Sequence, residues 1–155
     1  MLNTYTVTLF GHRDFIATRE IEQRLYELVA DLLRSKSYVE FLVGRDGAFD
    51  LFAASVIKRC RQSVRDDNSA LVWVLPYQTA DFRDNQAAYH AYYDEIVFSP
   101  AAQGKHFKAA ISARNCEMID RADLAVFYVK KSSGGAYRAL RYARQQGKDI
   151  VNIGE

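Results

Sequence analysis

Apolar positions in this chain fall into short runs separated by stretches with a three-to-four-residue rhythm. The runs at Tyr5–Phe10, Val39–Val43, Ala70–Leu75, Asp123–Val129 and Asp149–Ile153 have the length and composition of strands. Most of the stretches between them read as amphipathic helices. Ile21, Leu25, Leu28, Val29, Leu32 and Leu33 make one apolar face with Thr18 placed to cap its start, and the opposite face carries Glu22, Arg24, Glu27 and Asp31. A second helix, from about Phe49 to Val64, lines up Phe49, Phe52, Ala53, Val56, Ile57 and Cys60. A third runs from Lys108 to about Asp120, with Ile111, Met118 and Ile119 inward, and a last one spans Tyr137 to Gln146 beside Ala136, Ala139, Leu140 and Ala143. Strands alternating with helices predict an α/β fold around a mainly parallel sheet of about five strands.

The segment 76–107 breaks the alternation. It places about thirty residues between the third and fourth predicted strands, more than a usual connection. It is rich in aromatic residues, Tyr77, Phe82, Tyr89, Tyr92, Tyr93, Phe98 and Phe107 among them. A lid over a site and a satellite aromatic core are both open to it. At 155 residues the chain fits one domain, 1–155, with 76–107 as that insertion.

Candidate chemistry sits where apolar runs end. Gly134 and Gly135 follow the run ending at Val129 and precede a helix, so they can turn the chain sharply and aim the helix's first N–H groups at an anion. Ser133 can add a hydroxyl donor and Ala136 a backbone N–H. Two other runs end similarly, in Phe10-Gly11-His12-Arg13 and in Val43-Gly44-Arg45-Asp46-Gly47-Ala48-Phe49-Asp50. Gly11, Gly44 and Gly47 permit close approach, Arg13 offers a guanidinium fork, and His12 a hydrogen bond set by its protonation. Asp50 falls in a first helical turn, where it either answers the backbone dipole or holds a ribose hydroxyl. In an open parallel sheet all three turns lie at the ligand-binding edge.

Charge alters this picture little. Twenty-one basic and 19 acidic residues leave a net charge of +2, which disfavours nucleic acid as a partner. Lys58, Arg59 and Arg61 read most simply as a solvated face, although Arg59, Arg61 and Arg65 are also the cations that a DNA-handling surface would use. Cys60 and Cys116 lack metal or CxxC spacing and read as buried thiols, and His12, His90 and His106 share no ligand spacing, so no metal site and no cofactor are assigned. The absence of GxGxxG, GxxxxGK[ST] and GxSxG disfavours common dinucleotide, ATP and serine-nucleophile sites. No apolar run approaches the length of a bilayer span, and neither a basic leader nor a cleavable segment opens the chain, so no membrane partner and a cytoplasmic location are expected.

Together, Phe10 to Arg13, Val43-Gly44 through Asp50, Leu75-Pro76-Tyr77, Tyr93 to Val97, Arg114-Asn115, Asp123 and Gly134 to Ala136 resemble the SLOG superfamily over nearly the whole chain. The resemblance extends to LOG-type nucleotide phosphoribohydrolases and to the Rossmann-like domain of the DNA-processing protein DprA. It implies a Rossmann-like three-layer fold that binds a nucleotide or nucleotide-derived ligand. By that resemblance Gly134 and Gly135 match the start of the phosphate-cradling PGGxGTxxE motif, and Arg114 matches an arginine at the start of the helix before the fourth strand. The motif then departs: Tyr137 stands for its third glycine, Arg138 for its threonine and Arg141 for its glutamate. A permanent cation at 141 opposes LOG-like cleavage, which stabilises positive charge on the ribose. Asp46, Asp50 and Glu95 are the carboxylates that remain to substitute.

The expected function is therefore binding of a phosphate-bearing nucleotide or derivative, as a sensor or regulatory module, through Gly11, His12, Arg13, Gly44, Gly47, Asp50, Arg114, Ser133, Gly134, Gly135 and Ala136. LOG-like N-glycoside hydrolysis is the first alternative, and DNA handling or protein interaction the second. Pairing of two copies is left open.

Overall fold

The structure is a computed structural model that describes residues 3–155. Strand β1 (Thr4–Gly11) is followed by α1 (Arg19–Ser35), β2 (Tyr38–Val43), α2 (Ala48–Ser63) and β3 (Ser69–Leu75). Two short helices, α3 (Ala80–Asp84) and α4 (Gln86–Tyr92), lead to β4 (Glu95–Phe98) and a 3-10 turn at Pro100–Ala102. Helix α5 (Phe107–Arg121), β5 (Leu124–Tyr128), α6 (Gly135–Gln145) and β6 (Asp149–Asn152) complete the chain. The six strands form one sheet in the order β4-β3-β2-β1-β5-β6, and every neighbouring pair is parallel. This is the Rossmann-like α/β arrangement, with six strands rather than about five. The additional strand, β4, is only four residues long at the sheet edge, and its burial never falls into the all-apolar run that marks the central strands.

Alternation along each strand decides which helices cover which face. Val7, Leu9, Val39, Phe41, Val43, Leu71, Trp73, Leu75, Leu124 and Val126 point to the side covered by α1 and α2. Phe10, Leu42, Val72, Val74, Ala125 and Phe127 point to the other, where Met118 and Ile119 of α5 and Ala139, Leu140 and Ala143 of α6 pack. β3 is buried at all seven positions because both faces are covered, which is why its sequence reads as a continuous apolar run. Thr18 caps α1 as its position in the sequence suggests, its Oγ1 accepting from the N–H of Ile21 at 3.2 Å.

The segment 76–107 lies along the β3 edge. Phe82, Tyr89 and Tyr93 surround Trp73 with ring centroids 5.7, 4.9 and 5.3 Å away. Arg45 ties this cluster to the turn after β2, donating to the Tyr93 hydroxyl at 3.2 Å and lying over the Tyr89 ring at 4.8 Å. Both cysteines are free thiols, Cys60 buried and Cys116 only half-buried. Among the described residues no helix is long and apolar enough to cross a membrane.

Candidate functional site

Strand order reverses between β1 and β5, and at that point the loops leaving β1, β2 and β5 bound a cleft of about 600 Å³. All eleven residues singled out in the sequence line it: Gly11, His12 and Arg13 after β1, Gly44, Gly47 and Asp50 after β2, Arg114 from α5, and Ser133, Gly134, Gly135 and Ala136 after β5. Of the three substitute carboxylates, Asp46 and Asp50 line the cleft, whereas Glu95 begins β4 at the sheet edge and does not. Arg141 lies outside the cleft as well, and no residue of 76–107 enters its lining.

Two glycines are required by packing rather than by turning. A Cβ on Gly11 would fall 2.1 Å from Cγ of Phe49, so the end of β1 lies directly on the first residues of α2. A Cβ on Gly47 would come within 2.5 Å of the Arg13 Cα, and the Ala48 N–H donates to the Arg13 carbonyl at 3.0 Å. These contacts join the β1 and β2 turns into one wall. Gly134 differs: its φ of +92° demands glycine, and a Cβ there would meet nothing within 4 Å. Helices α2 and α6 start at the cleft from Gly47 and Gly134, neither of which caps with a side chain; the Ala48 N–H of α2 is taken by the Arg13 carbonyl.

A polar cluster forms the floor. Arg114 is 1% exposed and spends its guanidinium on three partners, donating to the Val74 carbonyl and to Asn115 Oδ1, each at 2.9 Å, and to the Asp46 carboxylate. It sits in the middle of α5, not at its start as the family likeness implied. It therefore ties α5 to β3 and to the β2 turn, and much of its charge is answered by Asp46. Asp50 accepts from the Asp46 N–H at 2.9 Å. Burial pushes the Asp50 carboxyl up to about 7, and the Asp46 carboxylate adds to the rise, while that N–H and the charges of Arg114 and Arg13 oppose it. Asp50 is thus a carboxyl group poised to titrate near neutrality inside the cleft.

His12 organises the third turn. It is buried, and its Nε2 accepts from the N–H groups of Lys130 and Lys131 at 3.0 and 3.2 Å. Burial, then the nearby Lys131 charge, hold the imidazole below its ordinary value, which keeps Nε2 an acceptor. This nitrogen is committed to the loop.

The rim carries cations. Arg13, Lys108, Lys131 and Arg138 all line the cleft and are exposed. Lys131 pairs with Asp14 at 2.5 Å, whereas Arg13, Lys108 and Arg138 make no ion pair among the described residues. Lys108 and Lys131 were missed as site residues. For Lys131 the available signal was the acid-free stretch around the glycine pair, which the whole-chain charge conceals; Lys108 lies outside that stretch and had no such mark.

No protein-family model matches the sequence, and no curated protein matches it. Solved structures do. DNA processing protein A from Helicobacter pylori, determined for its single-stranded DNA binding mode, superposes with a TM-score of 0.65 at 15% identity, over 94% of this chain and 63% of that one. DNA processing protein A (DprA) from Streptococcus pneumoniae gives a TM-score of 0.65 at 14% identity, over 94% of this chain and 49% of that one. The chain thus spans between about half and two thirds of the proteins it matches. These neighbours correct two expectations drawn from the sequence: nucleotide sensing as the leading function, and nucleic acid as a disfavoured partner. The physical reason is that a net charge of +2 averages over ion-paired surfaces and says nothing of the local charge at the cleft rim. The chain shares its Rossmann-like fold with the DNA-processing DprA proteins.

Proposed function

We propose that this chain is a DNA-handling module of the SLOG type that holds a single strand of DNA by its phosphodiester backbone across the cleft. The observation that carries the reading is the rim: three exposed cations without ion-pair partners among the described residues, Arg13, Lys108 and Arg138, surround two helix N-termini without side-chain caps. The fold likeness to DprA supports it. In this reading a backbone phosphate lies on the N–H groups at Gly135 and Ala136, with Arg138 and Lys108 on one side and Arg13 on the other. Arg114 positions the floor without giving up its own partners. Asp50 sets a limit on the charge the cleft can hold, since its ionised form repels a phosphate.

The test is fluorescence anisotropy of a labelled oligothymidylate of about 15 nucleotides, a length suited to single-strand sites, at about 50 mM salt. Wild-type protein is expected to retain the strand, and Arg13→Ala or Lys108→Ala to weaken it roughly tenfold each, the scale of about 1.5 kcal/mol for a charge-assisted contact. Wild-type protein that fails to retain the strand at low salt contradicts the reading.

A further inference from the structure

The positive charge of this chain is concentrated in one segment. Six of its 21 basic residues and none of its 19 acidic ones lie between Asp123 and Asp149, which leaves 15 basic against 19 acidic residues elsewhere. The whole-chain charge of +2 is therefore a strongly basic segment offset by an acidic remainder. The segment contains the loop after β5 and all of α6, and three of its cations, Arg138, Arg141 and Arg144, recur at every third position of that helix. All three are exposed, and none forms an ion pair among the described residues. Successive members are about 4.5 Å apart along the helix axis, so they form a slanted line.

One end of that line is at the cleft, where Arg138 forms part of the lining, and the other is at the far end of α6. The carboxylate that α5 presents to this helix, Asp120, is occupied: it accepts from the Tyr142 hydroxyl at 2.7 Å. Arg141 lies with its guanidinium carbon 6.0 Å from the Tyr137 ring centroid, at the outer limit of a cation–π contact. Three exposed guanidinium groups held at close spacing repel one another. A free surface normally relieves such repulsion with interspersed acids, as α1 does with its Glu20–Arg24 and Asp31–Arg34 pairs. On α6 it is left unrelieved, which suits a polyanion.

We infer that the exposed arginine line of α6 is a second contact surface, a track along which a single DNA strand continues after it leaves the cleft, with Arg141 and Arg144 each meeting a further phosphate. The inference rests on the single-strand reading of the cleft and adds to it a direction and a longer footprint. Arginine suits the role because its fork can bind a phosphate oxygen pair and its plane can stack on a base.

The test compares wild-type protein with the double variant R141Q/R144Q, whose positions are exposed and outside the cleft, on labelled oligothymidylates of about 4 and about 12 nucleotides across a salt series. For a single strand the log–log salt slope changes by about 0.7 per phosphate contact, so the variant is expected to lose about 1.4 from the slope on the long strand and nothing on the short one. R141K/R144K, which keeps the charges, is expected to restore most of the slope. Wild-type and R141Q/R144Q proteins with equal slopes on the long strand overturn the track and leave the cleft reading intact. Failure of the wild type to bind either strand overturns both.

Discussion

Helices α2 and α6 begin alike and end differently. Both start at the cleft from a glycine that offers no side-chain cap, and both carry arginines, two on α2 and three on α6. On α2, Arg59 reaches Glu22 at 2.7 Å and Arg61 reaches Asp94 at 2.6 Å, so its cations lock it to α1 and to the start of β4, and Arg65 just beyond it pairs with Asp67 at 2.6 Å. On α6, Arg138, Arg141 and Arg144 have no such partners among the described residues. The same residue type thus builds structure on one helix and an open electrostatic surface on the other. Charge counted along a sequence does not distinguish the two uses; only the position of the carboxylates does.

The turns that start the two helices differ as well, and substitutions can separate them. The α2 turn is anchored by Arg114, so Arg114→Ala strips Asp46 and the Val74 carbonyl of a buried partner. It is expected to destabilise the protein by about 2–3 kcal/mol, read as a fall in the denaturant midpoint, because the Val74 carbonyl loses a charge-assisted hydrogen bond while the half-exposed Asp46 regains water. A loss of less than about 1 kcal/mol would mean that the turn holds itself. Next in size is Gly11→Ala, which drives a methyl group into the Phe49 ring and should cost about 1–3 kcal/mol. Gly135→Ala is the control on the α6 side, since the nearest atom to its Cβ is the flexible end of Arg138 at 3.9 Å, and its stability should change by less than about 1 kcal/mol.

A smaller effect depends on pH. The Asp50 carboxyl is raised from 3.8 to about 7 in the folded protein, so between those values the native state binds the extra proton. Its contribution is fully present below 3.8 and is lost as pH rises through about 7. Asp50→Asn, which keeps an acceptor for the Asp46 N–H, should flatten that decline in melting temperature from pH 5 to 8. His12 acts in the opposite sense: its value is lowered below 6.5, so its contribution is present above 6.5 and is lost as pH falls through the folded value. In His12→Gln the loss on acidification should shrink while the decline towards pH 8 remains. A profile unchanged in both variants would remove these two groups as its source.

Much of the fold was legible because the central strands announce themselves. β2, β3 and β5 are apolar runs bounded by turn residues, and α1 carries a regular stripe with Thr18 before it. β4 was not, because Glu95–Phe98 has four half-buried or exposed residues and gains its pairing from β3 rather than from its own pattern. At the site, glycine positions and strand ends converged on one cleft. The use of each side chain did not follow from the sequence: Arg114 is drawn into the floor by Asp46 and Val74, and the His12 ring holds backbone N–H groups 118 and 119 positions away. Contacts that distant leave no local mark.

The most direct test of the central claim is an amide NMR titration of the protein with unlabelled oligothymidylate. Shifts confined to Gly11–Arg13, the residues around Lys108, Gly134–Tyr137 and the exposed face of α6, with Arg59, Arg61 and Arg65 unmoved, are the predicted result. Shifts centred on the carboxyl half of α2, or none at saturating strand, would contradict it.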